Sequence, residues 1–198
     1  MVMVNVEADV LAGPLLAEKA RRAGCVYSMA YGDQPALIYD SAVTDTKRVY
    51  TYAELLDETA RFAGALRGLG VGKGTRVGIW MPNGPRWLVA WLAAGRIGAL
   101  TVPLNTFFQT RELQWILRHA DVHTLLTVSE LLSHDYLTRL EAAAPGLAEC
   151  GPGPLYLPDL PQLRQVFVWG PSDRGWAGRG PDLEDDPRPA LSEDFLQA

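Results

Sequence analysis

"RGLGVGKGTRVGIW", Arg67–Trp80, is the stretch on which the fold turns. Four glycines fall within the seven residues from Gly68 to Gly74, with Lys73 and Thr75 among and beside them. That composition suits either a phosphate-binding loop or a plain corner between two elements. The spacing decides against the first. A Walker loop needs glycine, four residues, then Gly-Lys-Ser/Thr, so that lysine and hydroxyl reach the phosphates together. Here Gly72-Lys73 is followed by Gly74, and Thr75 comes one place late. The dinucleotide pattern G-x-G-x-x-G also fails, because Lys73 stands where its third glycine belongs. Both loops follow a strand and open a helix, which offers its N-terminal amides to an anion. This stretch follows a helix and opens a strand.

The residues before it explain why. Thr51-Tyr52-Ala53-Glu54 has the form of a capping box, in which the threonine hydroxyl and the glutamate each satisfy an orphan amide. Leu55, Leu56, Phe62, Ala63, Leu66 and Leu69 then recur at helical spacing, and Asp57 and Arg61 stand one turn apart on the wet side. Gly70 suits a left-handed helix stop with Val71 as its apolar follower. Val77, Ile79 and Met81 begin a strand.

Working outward, the same alternation repeats. Ala8–Gly24 reads as an opening helix, and Ala36–Asp40 with Lys47–Thr51 as a hairpin around a polar loop. After the 76–81 strand come a helix from Pro85 to Arg96, a strand at 99–104 and a helix from Arg111 to His119. A strand at 122–128, a helix from Glu130 to Ala144 and a strand at 165–170 complete the series. Asn83, Thr110 and Ser129 stand where N-caps belong. Strands alternating with helices, and apolar on both faces, imply an α/β fold with a parallel sheet flanked by helices on both faces. The hairpin should sit to one side. The run Trp87–Leu104 contains Arg96 and Pro103 and reads as a buried helix feeding a buried strand, not a membrane span.

Residues 1–170 form the expected α/β subdomain. Residues 171–198 hold seven acids against three arginines, are broken by proline, and read as a flexible acidic linker. The whole chain of 198 residues has a net charge of −5, which speaks against a nucleic-acid partner. Cys25 and Cys150 lack metal-ligand spacing and read as buried thiols in a reducing cytoplasm. His119 and His123 lie four apart, but the helix should end between them, so they do not form a metal pair. Trp80, Trp87, Trp91 and Trp115 are candidates for a pocket lining, with core packing the plainer reading. No nucleophile or acid–base pair is visible, so no catalytic residue and no metal ligand is assigned.

Five pieces in order carry a resemblance: "TYAEL" (Thr51–Leu55), "GVGKGTRVGI" (Gly70–Ile79), "MPN" (Met81–Asn83), "GALTVPLN" (Gly98–Asn105) and "REL" (Arg111–Leu113). In their order and spacing they resemble the N-terminal part of the adenylate-forming, AMP-binding acyl-CoA synthetases. The resemblance covers about 37 to 128. It implies a parent enzyme that uses ATP and Mg to activate a carboxylic, fatty-acid-type substrate as an acyl-adenylate and passes the acyl group to CoA. It also implies a cytoplasmic ligase of fatty acid metabolism. The family's Ser/Thr/Gly-rich phosphate loop, ribose-binding aspartate and C-terminal lysine have no counterpart in these 198 residues. The chain is therefore expected to be an N-terminal fragment, inactive alone, with no cofactor bound. In CoA-forming relatives the loop after the "VPLN"-like strand approaches the pantetheine arm, and the matching cofactor-binding positions are Asn105, Thr106 and Phe107. Relatives often carry small residues there, where this chain has a phenylalanine. The alternative is a free-standing, non-catalytic α/β binding or interaction module. A fragment should also expose apolar surface at Trp87–Ala94 and at an edge strand Val166–Trp169, and form a homo-oligomer through it.

Overall fold

The computed structural model describes residues 32–41 and 46–185; the helix expected over 8–24 lies outside them, as does Cys25. Strands β1 (Pro35–Ser41) and β2 (Thr46–Thr51) form an antiparallel hairpin of their own. Helix α1 (Tyr52–Gly68) follows at once, capped as its sequence requires: the Thr51 hydroxyl accepts from the Glu54 amide at 3.2 Å, and the Glu54 carboxylate accepts from the Thr51 amide at 2.8 Å.

The main sheet has five parallel strands in the order β4-β3-β5-β8-β9. They are β3 (Arg76–Trp80), β4 (Leu100–Pro103), β5 (Thr124–Val128), β8 (Gln165–Trp169) and β9 (Ala177–Arg179). Between β5 and β8 lies a two-residue-stranded hairpin, β6 (Glu130–Leu131) and β7 (His134–Asp135). Helices α1 and α2 (Pro85–Arg96) cover one face, where Phe62, Leu66, Val89, Ala90 and Ala93 pack on Val77, Ile79 and Leu126. Helices α3 (Thr110–His119) and α4 (Tyr136–Ala143) cover the other, where Leu113, Leu117, Tyr136 and Leu140 pack on Trp80, Leu125 and Val166. The α/β reading holds, with the hairpin set apart.

The glycine-rich stretch is a helix-to-strand corner. Gly70 has φ +83°, the Gly70 amide donates to Arg67 O at 2.9 Å, and the Val71 amide donates to Leu66 O at 3.1 Å. That pair of bonds is a Schellman stop. Three further amides in the corner are bonded: Gly72 N donates to Thr75 Oγ1, Gly74 N to Gly98 O, and Thr75 N to Gly72 O. Almost nothing is left to cradle a phosphate. The same corner recurs after α2 and α3. Gly98 (φ +72°) and Ala99 donate to Gly95 O and Ala94 O; Asp121 (φ +49°) and Val122 donate to Arg118 O and Leu117 O. At the third corner an aspartate occupies the left-handed position that glycine fills in the other two.

Four expectations are corrected. The helix placed over Glu130–Ala144 begins only at Tyr136, capped by Asp135, whose carboxylate accepts from the Thr138 amide at 2.9 Å. Leu132 and Ser133 turn the preceding hairpin at φ +49° and +63°, so Ser129 caps nothing. Helices α2 and α3 are capped at Gly84 and Gln109 in place of Asn83 and Thr110. Strand β4 is an edge strand with Leu100 half-exposed, not a buried one. Strand β8 is no edge at all, because β9 pairs along it and leaves Val166, Val168 and Trp169 buried.

That last difference shows that ordered structure continues past 170. Residues 171–185 form a strap fastened on both faces by one device used twice. Glu141 of α4 accepts from Arg174 Nε at 2.9 Å and Trp176 Nε1 at 3.1 Å. Glu184, in the short helix α5 (Pro181–Glu184), accepts from Arg86 Nε at 2.6 Å and Trp169 Nε1 at 2.8 Å. The apolar Leu183 and Trp176 are buried beside these carboxylates, and neither pairing is visible in local sequence. Residues 186–198 lie outside the described part.

Two predictions test these packings. At the corners, Gly98→Ala should cost about 1 kcal/mol, and Asp121→Gly should gain about 0.5 kcal/mol, because only glycine takes the left-handed conformation without strain. Urea denaturation should show opposite shifts in midpoint with unchanged slopes. At the strap, a Cβ on Gly180 would overlap the Trp169 indole. Gly180→Ala should therefore destabilise by about 2 kcal/mol, the usual range for overpacking, and thermal melts without that loss would refute the close approach.

Candidate functional site

The strand order changes direction between β3 and β5: the chain leaves β3 toward β4 across one face and leaves β5 toward β8 across the other. In open parallel sheets, ligands bind outside the carboxyl ends of the strands at such a point. The loop following β4 stands at that end, and it contains Asn105, Thr106 and Phe107.

Its conformation is determined link by link. The Leu104 amide donates to Ile79 O at 2.9 Å and carries the ladder one residue beyond β4. Asn105 then turns the chain: its Oδ1 accepts from the Phe107 amide at 2.9 Å, and its carbonyl from the Phe108 amide at 3.1 Å. Four consecutive carbonyls are next taken up by side chains. Trp80 Nε1 donates to Asn105 O at 3.1 Å, and the Tyr136 hydroxyl to Thr106 O at 2.6 Å. Gln109 Nε2 donates to Phe107 O at 3.1 Å, and an Arg139 guanidinium nitrogen to Phe108 O at 3.2 Å. Trp80 and Tyr136 are buried, with ring centroids 4.2 Å apart, and the Arg139 guanidinium lies 5.5 Å from the Tyr136 ring. Such an aromatic pair adds about 1 kcal/mol beyond the area it buries. Burial raises the Tyr136 phenol above its usual pKa, which keeps it a neutral donor.

On this anchored loop the Phe107 ring is 69% exposed. The three positions singled out by sequence therefore stand together on one turn. Sequence reasoning missed the residues that hold it. In sequence Trp80 reads as a pocket-lining or core aromatic and Tyr136 as a mid-helix residue; no local signal links either to residues 25 or 30 positions away.

The remaining candidates separate. His119 stacks on Trp115 at 4.5 Å, and Trp115 is 60% exposed on the outer side of α3, not part of a core or of a pocket shared with Trp80. A shallow depression of about 520 Å³ runs past them, lined by Arg111, Arg118 and Asp159 among others, and shares no residue with the 105–108 loop. Trp87 and Trp91 stack 6.2 Å apart and are half-buried. Among the described residues no group of three or more His, Cys, Asp or Glu side chains could hold a metal ion, and no helix is long and apolar enough to cross a membrane. Cys150 is a free, half-buried thiol.

His123 lies at the entry to β5, with Nδ1 3.0 Å from Thr124 Oγ1. That hydroxyl also accepts from Gln165 Nε2 at 2.9 Å.

Comparison with known proteins agrees with this architecture. The family model for AMP-binding enzymes matches residues 27–167. An uncharacterized protein of Pseudomonas aeruginosa is 48% identical over 104 residues, which are 52% of this chain and 17% of that protein. The mitochondrial acyl-CoA synthetase short-chain family member 3 of Rattus norvegicus is 34% identical over 149 residues, 73% of this chain and 22% of that one. Among solved structures, an anthranilate CoA ligase in complex with anthranoyl-AMP superposes with a TM-score of 0.66, at 21% identity, over 87% of this chain and 28% of its own. The chain belongs to the AMP-binding, adenylate-forming enzyme family, of which it represents an N-terminal part. It spans about a fifth of the length of the curated relatives it matches.

Burial, and secondarily Arg164, depress the His123 pKa below its ordinary value near 6.5. As pH falls through that value, the unfolded chain takes up a proton that the folded ring resists, so stability is present above pH 6.5 and lost below it. His123→Gln should flatten the decline between pH 6.5 and 5, a window above the range where Glu54 and Asp135, both depressed, come into play. Equal slopes in the two proteins would refute this account.

Proposed function

We propose that these residues are the N-terminal part of an ATP-dependent acyl-CoA ligase. The parent enzyme would join a carboxylic acid to coenzyme A through an acyl-adenylate, releasing AMP and pyrophosphate, with Mg accompanying the nucleotide. The observation that carries this reading is the family match over 27–167 on a parallel sheet whose post-β4 loop is braced at the carboxyl end. Coenzyme A would present its pantetheine arm to Asn105, Thr106 and Phe107. ATP would be held by residues beyond these, because the glycines at 68–74 have their amides engaged in a helix stop and a turn. A fatty-acid-type substrate and a cytoplasmic setting complete the reading. So does a cover, from later parts of the enzyme or a second copy, over the half-buried Trp87–Trp91 face.

The test has two arms. Isotope exchange between pyrophosphate and ATP, run over a panel of carboxylic acids on protein that continues past Ala198, should respond to at least one acid. The 198-residue chain alone should give no exchange and no magnesium-dependent heat with ATP at low-micromolar concentration. Exchange absent from the extended protein across the panel, or tight ATP binding by the short chain, would overturn the proposal.

A further inference from the structure

Helix α3 carries an exposed stripe that the fold does not use. Trp115 stands at its middle, three residues after Glu112 and three before Arg118, four after Arg111 and four before His119. Residues three and four apart are neighbours on a helix surface, so these five share the outer side. Among the described residues Trp115 is the largest apolar side chain left exposed. It is held in place, because the His119 ring stacks on it at 4.5 Å and 13°. Arg118 is also fixed, one guanidinium nitrogen donating to Asp159 O at 3.2 Å. Pro158 and Asp159 thereby form a second wall, and the shallow depression lies between them and the helix.

The charges of this face are unpaired. Arg111, Glu112, Arg118 and Asp159 are all exposed, and among the described residues none of the four belongs to an ion pair. On α1, by contrast, Asp57 and Arg61 pair at 3.2 Å one turn apart. On α3 the two signs are set out symmetrically about the indole. Glu112 and Arg118 are equally far from it in sequence, with Arg111 beyond the first and Asp159 beside the second.

That symmetry suits one kind of contact. A two-fold interface is one patch meeting itself, so every pairing occurs twice with the partners exchanged. With the axis at Trp115 and the helices crossing antiparallel, Glu112 of each copy faces Arg118 of the other. Arg111 of each copy is then brought toward Asp159 of the other, and the two indoles meet at the centre, beside the depressions. Tryptophan and arginine carry much of the binding energy in such centres. Side chains already held in place also lose less freedom on association.

We propose that the occupant of this face is a second copy of the same chain, paired through α3 as an antiparallel dimer with Trp115 at the two-fold axis. The face lies across the sheet from Trp87 and Trp91, so the two surfaces are covered independently.

Light scattering on the 198-residue chain, from micromolar to millimolar concentration, should show a concentration-dependent rise to the mass of two chains. Trp115→Ala should weaken association about thirtyfold, the scale of a central tryptophan, with unchanged melting temperature. Glu112→Arg and Arg118→Glu should each leave a monomer, because like charges then face each other twice. Mixed in equal amounts, the two variants should dimerise again, since each offers the other two pairs of opposite sign. Glu112 also caps α3 by accepting from the Gln109 amide at 2.9 Å. If its variant unfolds, Arg111→Glu mixed with Asp159→Arg gives the same complementation without touching the cap. Protein that continues past Ala198 should dimerise with the same dependence on Trp115. A wild-type monomer throughout the range, a dimer undiminished by Trp115→Ala, or folded variants whose mixture stays monomeric would overturn the proposal. So would a monomeric extended protein, which would place a later part of the same enzyme over Trp115.

Discussion

A parallel sheet cannot be made from hairpins; its strands are joined by crossover connections, usually helices, and each such helix must stop at the right residue and re-enter the sheet. In this protein that constraint is met three times by one backbone device, a left-handed residue followed by a buried apolar one. Gly70-Val71 leads into β3, Gly98-Ala99 into β4 and Asp121-Val122 into β5. Each stop satisfies two orphan carbonyls of the helix it ends and sets the direction of the strand that follows. The first two corners also touch, since the Gly74 amide donates to Gly98 O and the Leu100 amide to Thr75 O at 2.8 Å. Alignment of β3 with β4 is therefore set at their entry ends, before their side chains meet.

With the entry ends fastened, the carboxyl ends can carry loops of individual shape. The loop after β4 borrows its rigidity from the core beneath: a buried indole and a buried phenol, stacked on each other, each release one hydrogen to a loop carbonyl. The hairpin after β5 ends in Leu132 and Ser133, both left-handed without being glycine. Strain of this kind collects near functional ends of folds. Tyr136 joins the two loops, since its amide donates to Ser129 O at 3.0 Å and its hydroxyl to Thr106 O. Packing on one face of the sheet thereby sets the geometry at its end.

The far edge is closed differently. The strap of 171–185 uses carboxylates as acceptors for an indole and a guanidinium together, Glu141 on one face and Glu184 on the other. Both ion pairs keep partial contact with solvent, so their charge contribution is modest. The firmer part of the attachment is the burial of Trp169, Trp176 and Leu183, with Gly180 admitting the Trp169 ring against the backbone. This arrangement covers the strand edge at Val166–Trp169 that the fragment reading expected to be bare.

The sequence by itself determined the fold class, the first hairpin, the capping box at Thr51, the stop at Gly70 and the alternation of helices and strands from Thr51 to Val128. All of these are written in spacing over a few residues, where propensity and periodicity act. That Asn105, Thr106 and Phe107 follow a strand was legible too, because "VPLN" ends one; a ligand-binding role for them was implied only by the family resemblance. Tertiary structure alone decided the rest. A Ser-Glu pair at 129–130 looks like a helix start, but Tyr136 is drawn to the core under Thr106, and the intervening residues turn back as a hairpin. An acidic, proline-broken segment looks unstructured, but its Trp176 and Leu183 are buried, Trp176 donating to Glu141 of α4 and Leu183 lying beside Glu184, which bonds Arg86 and Trp169. The anchors of the loop are invisible for the same reason: Trp80 and Tyr136 meet Asn105 and Thr106 only after the strands pair, and a hydrogen bond across 25 or 30 residues leaves no mark in local pattern.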